Sequence, residues 1–231
     1  MSMMRVALQR LFLKVQAVVL LAFGRRQNAA DKFERMLRLQ PTDGYALASH
    51  AHVQVQLGNF EAAIKSLLQL TSAWPQDASA WFNLAYVLQQ AGRHDEAEPA
   101  FRKALALDAR MDRAWYGLAL VLMTQERFVE AAQALKKNTE LQPMSPHGWY
   151  RLAEVWLALG QPREARKVLG HLRQFEPRVA EQLERGIFAV HPEPFDKLRT
   201  GPVEGLRQAQ PERTVDGRYP SQLAKVSDAA H

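Results

Sequence analysis

One short pattern recurs three times at a fixed interval in this sequence. The copies are WFNLAYVLQQAGRHDEA from Trp81, WYGLALVLMTQERFVEA from Trp115 and WYRLAEVWLALGQPREA from Trp149, and each begins 34 residues after the one before. A strict repeat of this length indicates supersecondary units that cannot bury their apolar faces alone and therefore stack on one another. The repeat constrains the fold more than any other feature of the chain.

Other positions of the pattern extend it toward both ends of the chain. A small-residue position, a turn position and a closing position keep the same interval. The small-residue position holds Ala29, Ala63, Ala97, Ala131 and Ala165. The turn position holds Gly24, Gly58, Gly92, Glu126 and Gly160. The closing position holds Pro41, Pro75, Ala109, Pro143 and Pro177. Together they define five units, at residues 10–43, 44–77, 78–111, 112–145 and 146–179.

Each unit is predicted to contain two helices. In the third unit, Trp81, Leu84 and Leu88 are spaced by three and four residues, as in an apolar stripe on a helix. Gly92 ends this helix, because glycine adopts the left-handed conformation that often follows a helix. Ala97 and Phe101 lie on the stripe of a second helix, and the small alanine lets the two helices approach closely.

A 34-residue period with these positions resembles the tetratricopeptide repeat. The resemblance implies an all-α, right-handed superhelical solenoid of five helix-turn-helix repeats with a C-terminal capping helix. Residues 1–9 extend the first helix, and the apolar spacing after Pro177 places the capping helix at residues 178–188. The following sequence is rich in proline, glycine and charge without a sustained apolar period, which predicts a disordered tail at residues 189–231.

Two residues depart from the repeat. Glu126 stands where the other units have glycine, so we expect a turn that is either strained or differently shaped. His50 stands where the three later units have leucine. It is expected to be a buried, hydrogen-bonded histidine, or else to mark loose packing of the second unit.

The sequence contains no pattern typical of a catalytic or cofactor site. Cysteine is absent, and there is no nucleotide-binding loop, nucleophilic serine elbow or zinc signature. His50 and His52 are two residues apart, so on a helix they point to different sides and do not share a metal ion. We therefore expect a non-enzymatic protein with no catalytic residue, no cofactor and no metal site.

The charge of the chain does not indicate nucleic-acid binding. The formal net charge is +6 and the isoelectric point about 9.7, yet the lysines and arginines form no long basic run. We therefore expect the partner to be a protein or peptide and not a nucleic acid. The lack of cysteine fits a reducing compartment, so we expect a cytoplasmic protein. The tail segment FDKLRTGPVEGLRQAQPER resembles translated interspersed DNA repeats of proteobacterial genomes, so a bacterial source is expected.

The resemblance also predicts a binding groove, since the first helices of tetratricopeptide units line the concave face of the array. Carried over by register, the groove residues are Tyr45, His52, Phe82, Asn83, Tyr86, Arg113, Tyr116, Tyr150 and Arg151. Aromatic residues and arginine most often dominate interface energies. The function predicted is therefore a scaffold that holds an extended or helical segment of another protein, and an acidic segment would suit the arginines.

The N-terminal segment supports an alternative. Arg5, Arg10 and Lys14 precede or interrupt an apolar run that is too short to cross a bilayer and lacks a small-residue cleavage site. Leu11, Val15, Val18 and Leu21 are expected to form an apolar face at the open end of the array, where a membrane or a second copy could bind. The alternative function is a membrane-peripheral assembly factor at the inner membrane, docked by this helix.

Overall fold

The part of the chain that the structure describes is built from helices. The computed structural model describes the backbone of residues 3–190 and the side chains of residues 4–186. Within that range the helices are α1 (Met3–Ala22), α2 (Arg26–Leu39), α3 (Gly44–Gln56), α4 (Phe60–Ala73), α5 (Ala78–Gln90), α6 (His94–Leu107), α7 (Asp112–Thr124), α8 (Phe128–Leu141), α9 (Pro146–Ala158), α10 (Pro162–Phe175) and α11 (Pro177–Val190).

The helices pack in pairs, and the pairs stack in chain order. The first ten helices form five pairs, each pair packs against the next one, and α11 packs against α10 and α9. The predicted all-α solenoid with a capping helix is confirmed. Ala189 and Val190 continue α11, and the rest of the predicted disordered tail lies outside the described residues.

The turn inside each pair requires a left-handed residue at the same repeat position. Gly24, Gly58, Gly92 and Gly160 have φ between 67° and 78°, and Glu126 has φ 58°. Glu126 therefore keeps the shape of the turn and adopts the backbone conformation that favours glycine. Of the two expectations for this position, strain is confirmed and a different shape is wrong.

The core of each helix pair is built around the alanine at the small-residue position. All five alanines at that position are fully buried, which lets the two helices of each pair approach closely. Phe33 and Phe101 fill the space beside them and are also fully buried. One apolar cluster runs from α3 to α11, and a second one joins α1, α2 and α3. Each unit thus contributes to the core of its neighbour, which is how stacked repeats gain stability.

The tryptophans of the repeat also hold the preceding loop. The indole Nε1 of Trp81, Trp115 and Trp149 donates a hydrogen bond to the carbonyl of Pro75, Ala109 and Pro143, over 3.0, 2.9 and 2.8 Å. These acceptors occupy the closing position of the preceding unit. The bond uses the backbone carbonyl, so it forms equally well where alanine replaces proline.

His50 is buried and hydrogen-bonded, which confirms the first of the two expectations for this residue. Its Nδ1 lies 2.8 Å from the Ser66 hydroxyl, and its Nε2 lies 3.0 Å from the Gln54 side-chain amide. Burial lowers the pKa of His50, while the nearby Glu34 carboxylate partly opposes that effect. The second unit therefore satisfies a polar side chain at a position where later units bury leucine.

Candidate functional site

The groove is formed by the first helices of successive units, α3, α5, α7 and α9. Aspartates fix the start of two of them. The Asp43 carboxylate accepts the backbone N–H of Ala46, and the Asp77 carboxylate accepts those of Ser79 and Ala80. Such caps satisfy amides that have no partner within the helix, so the first turns of α3 and α5 are held in place.

Two clefts of about 380 Å³ each lie side by side along this surface. The first cleft lies mainly between α5, α7 and the start of α9, and its lining includes Phe82, Tyr86, Gln89, Arg113, Tyr116, Leu120 and His147. The second lies mainly between α3 and α5, and its lining includes Ala48, His52, Val55, Phe82, Asn83, Tyr86 and Arg113. Phe82, Tyr86 and Arg113 line both clefts and so form the boundary between them.

Phe82 is the centre of this boundary. Its ring stacks on Tyr86 with a centroid distance of 6.3 Å and meets the buried Phe101 at 6.1 Å. The Arg113 guanidinium lies 5.3 Å from the Phe82 centroid, which is within the range of a cation–π contact. Buried Phe101 thus anchors Phe82, and Phe82 in turn supports an exposed tyrosine and an exposed arginine.

Gly117 gives the first cleft its depth. A Cβ added at this position would lie 2.4 Å from the Phe101 Cζ, closer than packed side chains approach. The Phe101 ring therefore occupies the space that a side chain at residue 117 would need. Gly117 and Phe101 both line the first cleft, so the Phe101 ring forms an apolar part of its wall.

The N-terminal end of the predicted groove has separate contacts. Tyr45 lies outside both clefts, packs edge-on against Phe33 at 6.2 Å and carries the Lys14 ammonium 3.9 Å above its ring. His52 lines the second cleft, is exposed, and hydrogen-bonds to Gln56 over 2.9 Å. His52 and His50 thus have different partners and point to different environments.

The C-terminal end is dominated by an ion pair. The Arg151 guanidinium donates to the Glu154 carboxylate over 2.8 Å, and Tyr116 is a further hydrogen-bond partner of Arg151. Burial raises the pKa of Glu154, and Arg151 partly opposes the effect. Burial and the Glu154 charge both raise the pKa of Tyr150. Tyr150 and Arg151 line neither cleft, so the structure does not bring them together with Phe82.

Register reasoning missed residues that the second helices contribute. Asn138 of α8 lines the first cleft, and its amide donates to the Asp112 carbonyl over 2.9 Å. The Asn138 Oδ1 lies where a Cβ on Gly148 would be, at 2.1 Å from that position. Gly148 in α9 was the sequence feature that could have predicted this contact, because a glycine there leaves room for a side chain of α8 to reach the groove.

Three of the four residues predicted to form the exposed apolar face of α1 are exposed in the structure. Leu11, Val15 and Val18 of α1 are 58, 54 and 48 % exposed. Leu21 is half-buried and packs against the cluster that joins α1, α2 and α3, so it does not belong to the exposed face. It lies on the side of the helix that carries Ala17, which is fully buried.

The described part of the chain has neither a metal-binding cluster nor a membrane-crossing helix. Residues 4–186 contain no group of three or more His, Asp or Glu side chains arranged to hold a metal ion. Among the helices between residues 3 and 190, none has the length and apolar character needed to cross a membrane.

Comparison with protein families identifies the repeat. Two family models described as tetratricopeptide repeat match the chain, one at residues 49–112 and 85–137 and the other at residues 122–183. A search of curated proteins found no significant match.

Several solved structures share this fold. MamA protein is 18 % identical with a TM-score of 0.68, and the match covers 84 % of this chain and 98 % of MamA. MamA from Desulfovibrio magneticus RS-1, from residue 41 to its end, is 18 % identical with a TM-score of 0.67, covering 77 % and 96 %. YrrB, described as a TPR protein with an unusual peptide-binding site, is 17 % identical with a TM-score of 0.64, covering 73 % and 88 %. At these identities the likeness concerns the fold.

Proposed function

This chain belongs to the tetratricopeptide repeat family, whose solenoids are protein-interaction scaffolds, and we propose that it binds an extended acidic segment of a partner protein in the groove. The scaffold is non-enzymatic. The segment lies across the boundary between the two clefts, with an acidic side chain at Arg113 and neighbouring side chains in the cleft on either side.

The observation that carries the proposal is the environment of Arg113. Its guanidinium is exposed, contacts the Phe82 ring and lines both clefts. None of the ion pairs formed among residues 4–186 includes it. An arginine that is positioned by an aromatic ring retains all its N–H donors for a carboxylate, which it binds in a bidentate geometry.

Three arginines outside the groove are arranged differently. Arg93, Arg102 and Arg127 lie on the second helices or at their start, and each of them pairs with glutamates of its own or the adjacent unit. These pairs neutralise the surface on which they lie. Arg163 is also exposed without an ion pair among residues 4–186, so what distinguishes Arg113 is its contact with Phe82 and its place between the two clefts.

The charges of the groove also favour an acidic segment. Arg113 lines both clefts, whereas the Asp112 carboxylate lines only the first, and the second cleft has no carboxylate among its described lining residues. The Glu154 carboxylate is held by Arg151, so it does not oppose an incoming acidic side chain. Electrostatic complementarity of this kind speeds association and selects among partners.

An extended segment fits the clefts better than a helical one. Two clefts of equal volume flank a single boundary of Phe82, Tyr86 and Arg113. In an extended chain successive side chains point to opposite sides, so residues on one side of the segment can enter both clefts while the backbone crosses the boundary.

Capture from a lysate of the source organism with the full chain as bait tests the proposal. The Arg113→Glu, Tyr86→Ala variant is expected to lose its specifically bound protein, because hot-spot arginines and tyrosines typically contribute about 2 kcal/mol or more each. Both substituted side chains are exposed, so the helical circular dichroism should be unchanged.

Arg163→Glu is the matched control. Arg163 is exposed on α10 and lines neither cleft, so this variant has the same change of charge at a distant place. It should retain the partner. Equal capture by wild type, groove variant and control would contradict a binding role for the groove.

A further inference from the structure

One side of α1 is apolar and exposed along the whole helix. Seven large apolar side chains on it are between 48 and 80 % exposed, and we call this set the α1 stripe. Its members are Met4, Leu8, Leu11, Phe12, Val15, Val18 and Val19. Their spacing of three and four residues places them on one side of the helix. Leu13 and Ala17 are buried on the opposite side, against α2 and α3.

The charged residues of α1 are all basic. The helix contains Arg5, Arg10 and Lys14 but no Asp or Glu, and Arg25 and Arg26 follow two residues after its end. Arg10 is paired with Asp43, which is buried against the array. Arg5 and Arg25 are exposed, and Lys14 rests on the Tyr45 ring. An apolar strip with a cationic border matches the interface of a bilayer that carries anionic headgroups.

The opposite end of the described array has no such surface. The exposed residues of α11 between residues 177 and 186 are mainly polar or charged, and they include Arg178, Glu181, Gln182 and Arg185. A polar outer face is what a terminal helix needs when water covers it. The described outer face of α11 is therefore suited to water, whereas that of α1 is apolar.

A second copy of the chain would bind the α1 stripe less favourably than lipid. Packing two α1 stripes together would bring the exposed Arg5 and Arg25 of both copies near one interface, and α1 has no carboxylate to pair with them. Like charges at an interface cost free energy. Anionic lipid supplies the missing negative charge together with the apolar surroundings.

We propose that the α1 stripe docks the protein on the surface of an anionic bilayer, with α1 parallel to the membrane plane. The helix is about 30 Å long at the usual rise per residue, so its seven apolar side chains form one continuous contact. No helix between residues 3 and 190 is suited to crossing the bilayer. This mode of binding is independent of the groove, since the stripe residues line neither cleft.

Flotation of the full chain with vesicles tests the proposal. The protein should float with vesicles of equal parts phosphatidylglycerol and phosphatidylcholine and remain unbound with phosphatidylcholine alone. Leu11→Ser with Val15→Ser should weaken binding about tenfold or more, since two apolar side chains no longer leave water. Both residues are exposed, so the helical content should not change.

Leu68→Ser with Val129→Ser is the matched control. It also replaces one leucine and one valine that are exposed on helices, 49 and 61 % respectively, but at other places in the array. It should bind like the wild type. Equal binding by both double variants, equal binding to neutral vesicles, or no binding at all would overturn the proposal. Sedimentation of the lipid-free protein as a dimer that Leu11→Ser, Val15→Ser dissociates would assign the stripe to a second copy instead.

Discussion

Glu126 occupies a backbone conformation that the other four turns assign to glycine, and its replacement by glycine should stabilise the protein. Its φ of 58° is left-handed, and for a residue with a Cβ this region costs about 1–2 kcal/mol. Glycine removes that cost but gives the unfolded chain more freedom, which offsets about 0.5–1 kcal/mol of the gain. The side chain of Glu126 is exposed, so few contacts are lost. The expected net stabilisation of Glu126→Gly is about 0.5–1 kcal/mol.

Gly92→Ala is the reverse experiment in the same turn of the third unit. Gly92 has φ 75°, and a Cβ added there meets no atom within 4 Å. Any loss of stability must therefore come from the backbone conformation and not from a clash. We expect a destabilisation of about 1 kcal/mol.

Thermal and urea unfolding followed by circular dichroism measure both effects. For a chain of this length, about 1 kcal/mol corresponds to a shift of about 2–4 °C in the midpoint. Glu126→Gly should raise the midpoint and Gly92→Ala should lower it. A lower midpoint for Glu126→Gly, or an unchanged one for Gly92→Ala, would refute the argument that the left-handed turn position costs free energy for residues with a side chain.

Three further predictions concern single side chains of the core and its loops. Gly117→Ala should destabilise the protein by about 1–3 kcal/mol in urea unfolding, because the Phe101 ring must move to admit a Cβ; an unchanged midpoint would contradict the close packing. Burial lowers the pKa of His50, partly opposed by Glu34, so the unfolded chain takes up the proton first and stability falls as the pH drops below about 6.5. His50→Leu should lose less stability than the wild type over that range. Equal losses would contradict the claim that His50 causes the loss of stability at low pH. Trp115→Phe removes the bond to the closing carbonyl and should cost about 1 kcal/mol, and no change would show that the bond contributes nothing.

Much of the fold could be predicted from the sequence because the repeat is local. Each position recurs at a fixed interval, so the five buried alanines and the turn glycines specify helix pairs without knowledge of distant contacts. Glu126 shows the limit of this logic. The sequence alone allowed a different turn, and the structure shows the same left-handed φ at a less suitable residue.

The groove could be predicted only in part. Phe82, Tyr86 and Arg113 meet because their helices are adjacent and their register is fixed by the period. Tyr150 and Arg151 follow the same register but line neither cleft, and Arg151 pairs with Glu154 instead. Side-chain conformations of this kind depend on individual partners, which periodicity does not specify.

The central claim, that the groove binds an acidic extended segment at Arg113, is tested most directly by selection from a random peptide display library. The wild-type chain is expected to enrich peptides that carry Asp or Glu beside apolar residues, because Arg113 lies between two clefts and has no internal ion pair among residues 4–186. Arg113→Glu is expected to lose those peptides and to enrich basic ones, whereas Arg163→Glu should select the same acidic peptides as the wild type. Identical selections by the wild type and Arg113→Glu would contradict the account.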